Sequence, residues 1–166
     1  VKDLFLDSVT VSETDMVLLA AKGNPKGVHT VQDLTKPDLR VGLADPQKSA
    51  LGALCDRMLD RMGIKDAVLK NVKTFTATAD FLVTDMRAGA LDAAIVYRAN
   101  TSKVGDSLEV FSIDNPAAKA VQPFATGKES KHKQLASRLL AAITSASAGR
   151  QFESAGFRFL AGSTEP

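Results

Sequence analysis

The sequence predicts an α/β fold built on a mainly parallel sheet. Three observations carry that expectation. Short apolar runs of strand length alternate with helix-periodic stretches through most of the 166 residues. Gly and Pro clusters punctuate the boundaries between them. The apolar content is aliphatic and alanine-rich, with eight Phe, one Tyr and no Trp, which suits helices on a sheet better than a β-sandwich. Strands alternating with helices of about ten residues imply right-handed crossovers and parallel neighbours. A chain of this length buries about 70% of the surface its unfolded form exposes, enough for one domain or two small lobes without a staple. With 45% apolar and 24% charged residues it is neither a disordered tail, a collagen-like fibre nor a disulfide scaffold. No apolar run approaches the ~20 residues of a membrane span.

Residues 16–21 (MVLLAA) read as a strand stopped by the turn cluster Lys22-Gly23-Asn24-Pro25. Residues 30–34 read as one capped helical turn before Lys36-Pro37. Residues 39–44 (LRVGLA) form the next strand, closed by Asp45-Pro46. Leu51, Leu54, Cys55, Met58, Leu59 and Met62 then fall on one helical face, and Gly63 is placed to end that helix. The unit repeats. A strand at 72–75 is followed by hydroxyl caps at 76–78, a helix turning Leu82, Val83 and Met86 inward, and Gly89. Residues 91–96 (LDAAIV) read as a small-residue strand buried on both faces. Further strands are expected at 108–113 and 120–125. The longest helix is expected at 130–145, with Leu135, Leu139, Ala142 and Ile143 as its apolar stripe, and a short helix runs from 150 to 154.

Twenty-one Lys and Arg against nineteen Asp and Glu leave a net charge of +2. The signs are interspersed rather than gathered into the face or stripe that nucleic-acid binding needs. The one basic cluster, 128–133, reads as a solvated helix start. A single cysteine, Cys55, excludes an internal disulfide and a cysteine metal site. His29 and His132 have no Cys, Asp or Glu at metal-ligand spacing. No nucleophile elbow, P-loop or dinucleotide fingerprint is present. The aspartates at 56, 60, 66, 80 and 85 fit solvated helix surfaces as well as acid–base work. Nothing in the residues points to an enzyme, a cofactor or a metal.

In open α/β sheets ligands sit at the carboxyl ends of strands, against helix N-termini whose free N–H groups and dipole favour anions. Three candidate positions share that edge. Ser49-Ala50-Leu51-Gly52 follows the strand at 39–44, Thr78-Ala79-Asp80 opens the next helix, and Tyr97 follows the strand at 91–96. Ser49 and Thr78 fit plain N-caps equally, and Tyr97 fits a tyrosine at the core edge. Asp80 at a helix start competes with an anion for the same amides.

Several segments together resemble the molybdate-type solute-binding proteins of ABC transporters. They are Gly23-Asn24-Pro25-Lys26-Gly27, Val31-Gln32-Asp33-Leu34, the stretch 37–46 (PDLRVGLADP), the stretch 85–98 (DMRAGALDAAIVYR), and 147–152 (SAGRQF) with Gly156-Phe157. Their order and spacing match over about residues 9–160. The resemblance implies a type II periplasmic-binding fold, with one complete α/β lobe and an incomplete second one. The expected layout is hinge strands and a remnant of the first lobe at 1–38, the second lobe at 39–117, and a return strand with C-terminal helices of the first lobe at 118–166. The resemblance also implies an oxyanion, molybdate or tungstate, held by neutral donors. Leu51 and Ala79 would act through backbone N–H and Tyr97 through its hydroxyl, with Ser49 and Thr78 beside them. The chain carries Ala50-Leu51-Gly52 where the family commonly has Pro-Ala-Gly.

The chain opens at Val1 rather than Met, and the family's first βαβ part has no counterpart here, so the expectation is an N-terminally truncated chain. Its partners would be an ABC permease with its ATPase, its place periplasmic or extracytoplasmic, and no nucleic acid is expected. Apolar faces left uncovered would favour a homodimer. The alternative is a ligand-sensing effector domain of the same fold in a LysR-type transcription regulator.

Overall fold

In the computed structural model, which describes residues 2–102 and 104–161, seven strands and five α-helices follow one another. The strands are β1 (Val9–Ala21), β2 (Val41–Ala44), β3 (Val72–Thr76), β4 (Ala93–Tyr97), β5 (Leu108–Ser112), β6 (Lys119–Phe124) and β7 (Arg158–Phe159). The helices are α1 (Ala50–Arg61), α2 (Lys65–Leu69), α3 (Ala79–Arg87), α4 (Lys133–Ile143) and α5 (Ala146–Ser154). The chain divides into two compact units. One is Asp15–Ala120; the other joins the stretch up to Thr14 to that from Val121 onward.

The larger unit is organised around β2, whose four residues are all buried. Successive side chains on a strand point to opposite faces. Leu43 packs on the α1 side, beside Cys55 and Leu59, whereas a Cβ on Gly42 would run into Leu82 of α3 and Leu91. The two helices therefore cover opposite faces, and a doubly covered strand has no room for polar alternation. The strand order is β3-β2-β4-β1-β5. β2 pairs in parallel with both β3 and β4, while β1 is antiparallel to β4 and β5. The sheet is thus mixed rather than mainly parallel. A crossover helix joins β2 to β3 and another joins β3 to β4, but β1 leads into β2 through the turn segment that follows it, with no such constraint on its direction.

Both expected glycine stops end helices. Gly63 and Gly89 take φ of 67° and 72°, conformations an L side chain resists. Each allows the following amide to reach back, Ile64 N–H to Leu59 O at 3.1 Å and Ala90 N–H to Asp85 O at 3.0 Å. The turn at 30–34 is a 3-10 segment, Val31–Thr35. The Asp33 carboxylate accepts the N–H groups of His29 and Thr30 and pairs with Lys36 at 2.9 Å. Lys36, with those N–H donors adding to it, holds the carboxyl well below the usual range. Val28, Val31 and Leu34 insert into the core of this unit, so residues 15–38 fold with 39–117 rather than apart from them.

At the amino end of the parallel strands Arg40 and Asp92 clamp β2 to β4. The carboxylate accepts the Arg40 backbone N–H at 2.9 Å and the guanidinium at 2.7 and 3.2 Å, and Arg40 also caps Gly89 O. Asp92 of the 85–98 motif is therefore a structural residue on the edge opposite the helix starts.

In the other unit the first half of β1 pairs with β7, Ser12 opposite Phe159 and Glu13 opposite Arg158. Ser12 donates to Gln122 and Glu13 forms an ion pair with Arg158. These partners explain a strand longer than the apolar run 16–21: Ser12 and Glu13 are buried although polar. Phe152 stacks on Phe159 and meets Phe157 edge-on. Between α4 and α5 lies a mainly apolar groove of about 500 Å³, lined in part by Ile143, Ala148, Phe152 and Phe157. The helix expected at 130–145 is shorter, because Ser130 Oγ accepts the His132 N–H and holds the chain in a turn first. It is also not the longest, and its stripe is not inward: α4 has no buried residue, with Leu135 63% and Leu139 51% exposed.

Candidate functional site

The parallel register brings the three predicted positions to one edge. Ala44 pairs with Thr76, and Asp45 N–H donates to Thr76 O at 2.8 Å. The exits of β2 and β3, which lead into α1 and α3, therefore lie side by side. β4 pairs with β2 through Gly42 and Ala94. Continued for three residues in the same direction, that register sets Tyr97 level with Asp45. The strand order places β2 between β3 and β4, so helices leave β2 and β3 on opposite faces at this edge, the arrangement that opens a ligand crevice in α/β sheets.

Ser49 and Thr78 occupy N-cap positions with extended backbone, φ −138° and −136°. Neither hydroxyl caps its helix, so both are caps by position only. Leu51, one residue into α1, turns its side chain into the core and is 1% exposed; Ala79 is 8% exposed. Neither residue's N–H has a hydrogen-bond partner among the described residues. The first N–H groups of any helix lack intrahelical partners, but exposed ones find water. Buried N–H groups are nearly always paired, so the amide of Leu51, within a buried residue, stands out at this edge. Leucine in place of a smaller residue does not fill the edge, because its side chain is buried in the core.

Tyr97 is half-buried against the core. Burial, with a smaller contribution from nearby Cys55, raises its phenol above the ordinary value. Cys55 is itself buried and pushed up to about 12, and its Sγ lies 3.9 Å from Met16 Sδ. Both groups are neutral at pH 7, so Tyr97 is a hydroxyl donor and neither repels an anion.

Two carboxylates stand near this edge, and each is engaged elsewhere. Asp45 accepts the Gln47 N–H at 2.8 Å and pairs with Lys48 at 3.4 Å. Asp80, expected to compete for the α3 amides, accepts from Asn100 Nδ2 at 3.0 Å. Asn100 went unnoticed in the sequence because its partner lies twenty residues away, with no local pattern to mark it. His29 is exposed and packs edge-on against Phe111, and His132 is exposed at the start of α4. Among the described residues no group of three or more His, Cys, Asp or Glu is placed to hold a metal ion, and no helix is long and apolar enough to cross a membrane.

The family model for bacterial extracellular solute-binding proteins matches residues 2–158. A molybdate-binding protein of Mycobacterium tuberculosis is 28% identical over 143 residues, covering 86% of this chain and 53% of that protein. The chain thus spans about half the length of the curated relatives it matches. Among solved structures, the substrate-binding domain of a putative molybdenum ABC transporter from Clostridium difficile aligns with a TM-score of 0.72 at 20% identity, covering 96% of this chain and 68% of that one. The periplasmic molybdate-binding protein of Azotobacter vinelandii aligns with a TM-score of 0.66 at 16% identity, covering 94% and 70%. At such identities the structural likeness establishes the fold.

Proposed function

This chain belongs to the family of bacterial extracellular solute-binding proteins, and we propose that it binds a small tetrahedral oxyanion, molybdate or tungstate, as the extracytoplasmic binding component of an ABC importer. The observation that carries the ligand class is the pair of helix starts at one sheet edge, where the N–H groups of Leu51 and Ala79, both buried residues, have no hydrogen-bond partner among the described residues. An oxyanion supplies the acceptors they lack, and two helix N-termini add favourable dipole ends. Tyr97 completes the set as a hydroxyl donor. All three are neutral, so the anion is recognised by directed hydrogen bonds rather than by a lysine or arginine. Leu51, Ala79 and Tyr97 hold the ligand; Ser49 and Thr78, whose hydroxyls are not spent on capping, stand beside them as further donors. The molybdate-binding relatives support the same ligand class. The protein carries out no chemical step and uses no cofactor; its partner is a membrane permease, and its place is outside the cytoplasm.

Titration calorimetry of the full-length protein with molybdate, tungstate and sulfate tests this. The expected result is saturable heat at one ligand per chain with molybdate or tungstate. No heat with any of the three overturns the oxyanion assignment.

A further inference from the structure

Gly52 does not owe its place to backbone conformation, because its φ is not among the positive ones. It owes it to space. A Cβ at this position would lie 2.4 Å from both the carbonyl carbon and oxygen of Asp45 and 2.5 Å from the carbonyl oxygen of Ala44. The three nearest atoms it would meet are all backbone, at the exit of β2. The first turn of α1 thus rests directly on the strand that feeds it, and side-chain rotation cannot make room for a methyl group. Adding one has to lift or roll the start of the helix, and with it the peptide that carries the Leu51 N–H.

We infer that Gly52 is a positioning residue for oxyanion binding: its missing side chain sets the height of the α1 amides above the sheet edge. This rests on the oxyanion reading of the same site. Hydrogen bonds weaken steeply outside a narrow range of distance and angle, so a shift of about half an ångström at the helix start is enough to spoil a donor. Gly42 supplies the natural comparison. A Cβ there would be 2.4 Å from Leu91 Cδ1 and 2.8 Å from Leu82 Cδ2, flexible side-chain ends on the α3 face of the same strand. Crowding at Gly42 strains the core but leaves the seat of α1 alone.

The test measures molybdate affinity and thermal midpoint for the full-length protein, Gly52→Ala and Gly42→Ala. Both variants are expected to melt lower. Gly52→Ala should bind about tenfold or more weaker, a loss of ~1.4 kcal/mol, while Gly42→Ala stays within about twofold of the unsubstituted protein. Affinity unchanged in Gly52→Ala overturns the positioning role and leaves the oxyanion reading standing. Equal losses in both variants also overturn it, since general destabilisation then explains them. No binding by the unsubstituted protein removes both proposals together. Amide NMR of the unsubstituted protein supplies a second readout that needs no variant to fold. Molybdate should move the Leu51 and Gly52 signals and leave Gly42 in place; stationary Leu51 and Gly52 signals overturn the role.

Discussion

Helices α1 and α4 are nearly the same length and both carry an apolar stripe at helical spacing, yet their fates differ. α1 buries Leu51, Gly52, Cys55, Met58 and Leu59, against β1, β2 and β4; α4 buries nothing. The period of a sequence says which face of a helix favours burial. It does not say whether a partner is present to cover it. In the Asp15–Ala120 unit the partner is a sheet already assembled from five strands, and the site lies at the edge of that well-packed region.

The largest expected effect breaks the comparison directly. Leu59→Ala should cost about 2–5 kcal/mol, the range for emptying a packed core position, while Leu139→Ala should stay within about 0.5 kcal/mol, as exposed substitutions do. Denaturant unfolding of both variants checks this. A cost above about 1 kcal/mol for Leu139→Ala would mean that the α4 stripe is covered in solution.

A smaller effect is expected where packing meets the site. Tyr97→Phe keeps the ring against the core and removes the hydroxyl. Molybdate affinity should fall about tenfold, the worth of one hydrogen bond, with the thermal midpoint nearly unchanged. Calorimetry and melting on the same preparation separate the two; unaltered affinity removes Tyr97 from the ligand shell.

The mildest effect sharpens the account of how the larger unit is pinned. The Arg40 side chain, then its backbone N–H, hold the Asp92 carboxyl below the usual value, against the opposing effect of burial. A depressed carboxyl contributes stability above its unfolded pKa of about 3.9, and that contribution is lost as pH falls through the folded value. Asp92→Asn should therefore melt lower than the unsubstituted protein at pH 7, with the gap closing below about pH 4. A gap that is constant between pH 7 and pH 3 would show that the charge contributes nothing.

Much of the larger unit was readable residue by residue. The stripe from Leu51 to Met62, the helix stops at Gly63 and Gly89, and the small-residue strand ending at Tyr97 all rest on local rules, and the structure keeps them with boundaries shifted by one or two residues. The first half of β1 was not readable. Val9–Asp15 looks polar, and its buried polar residues Ser12 and Glu13 find their partners far along the chain, in Gln122 and Arg158. α2 was missed too: five residues give too little periodicity to register. Of the site, the strand-to-helix order was legible, whereas Asn100 and the crowding at Gly52 depend on chain segments that meet only after folding.

By itself, then, the sequence determined that helices start just after two strands and that a lone tyrosine ends a third, because capping, periodicity and glycine stops act within a few residues. Tertiary structure alone decided that these ends lie side by side, that Leu51 and Ala79 are buried residues whose amides find no acceptor among the described residues, and that α1 is covered while α4 has no buried residue. Those outcomes depend on strand register and on contacts between distant segments, and local patterning carries no record of which distant surface arrives.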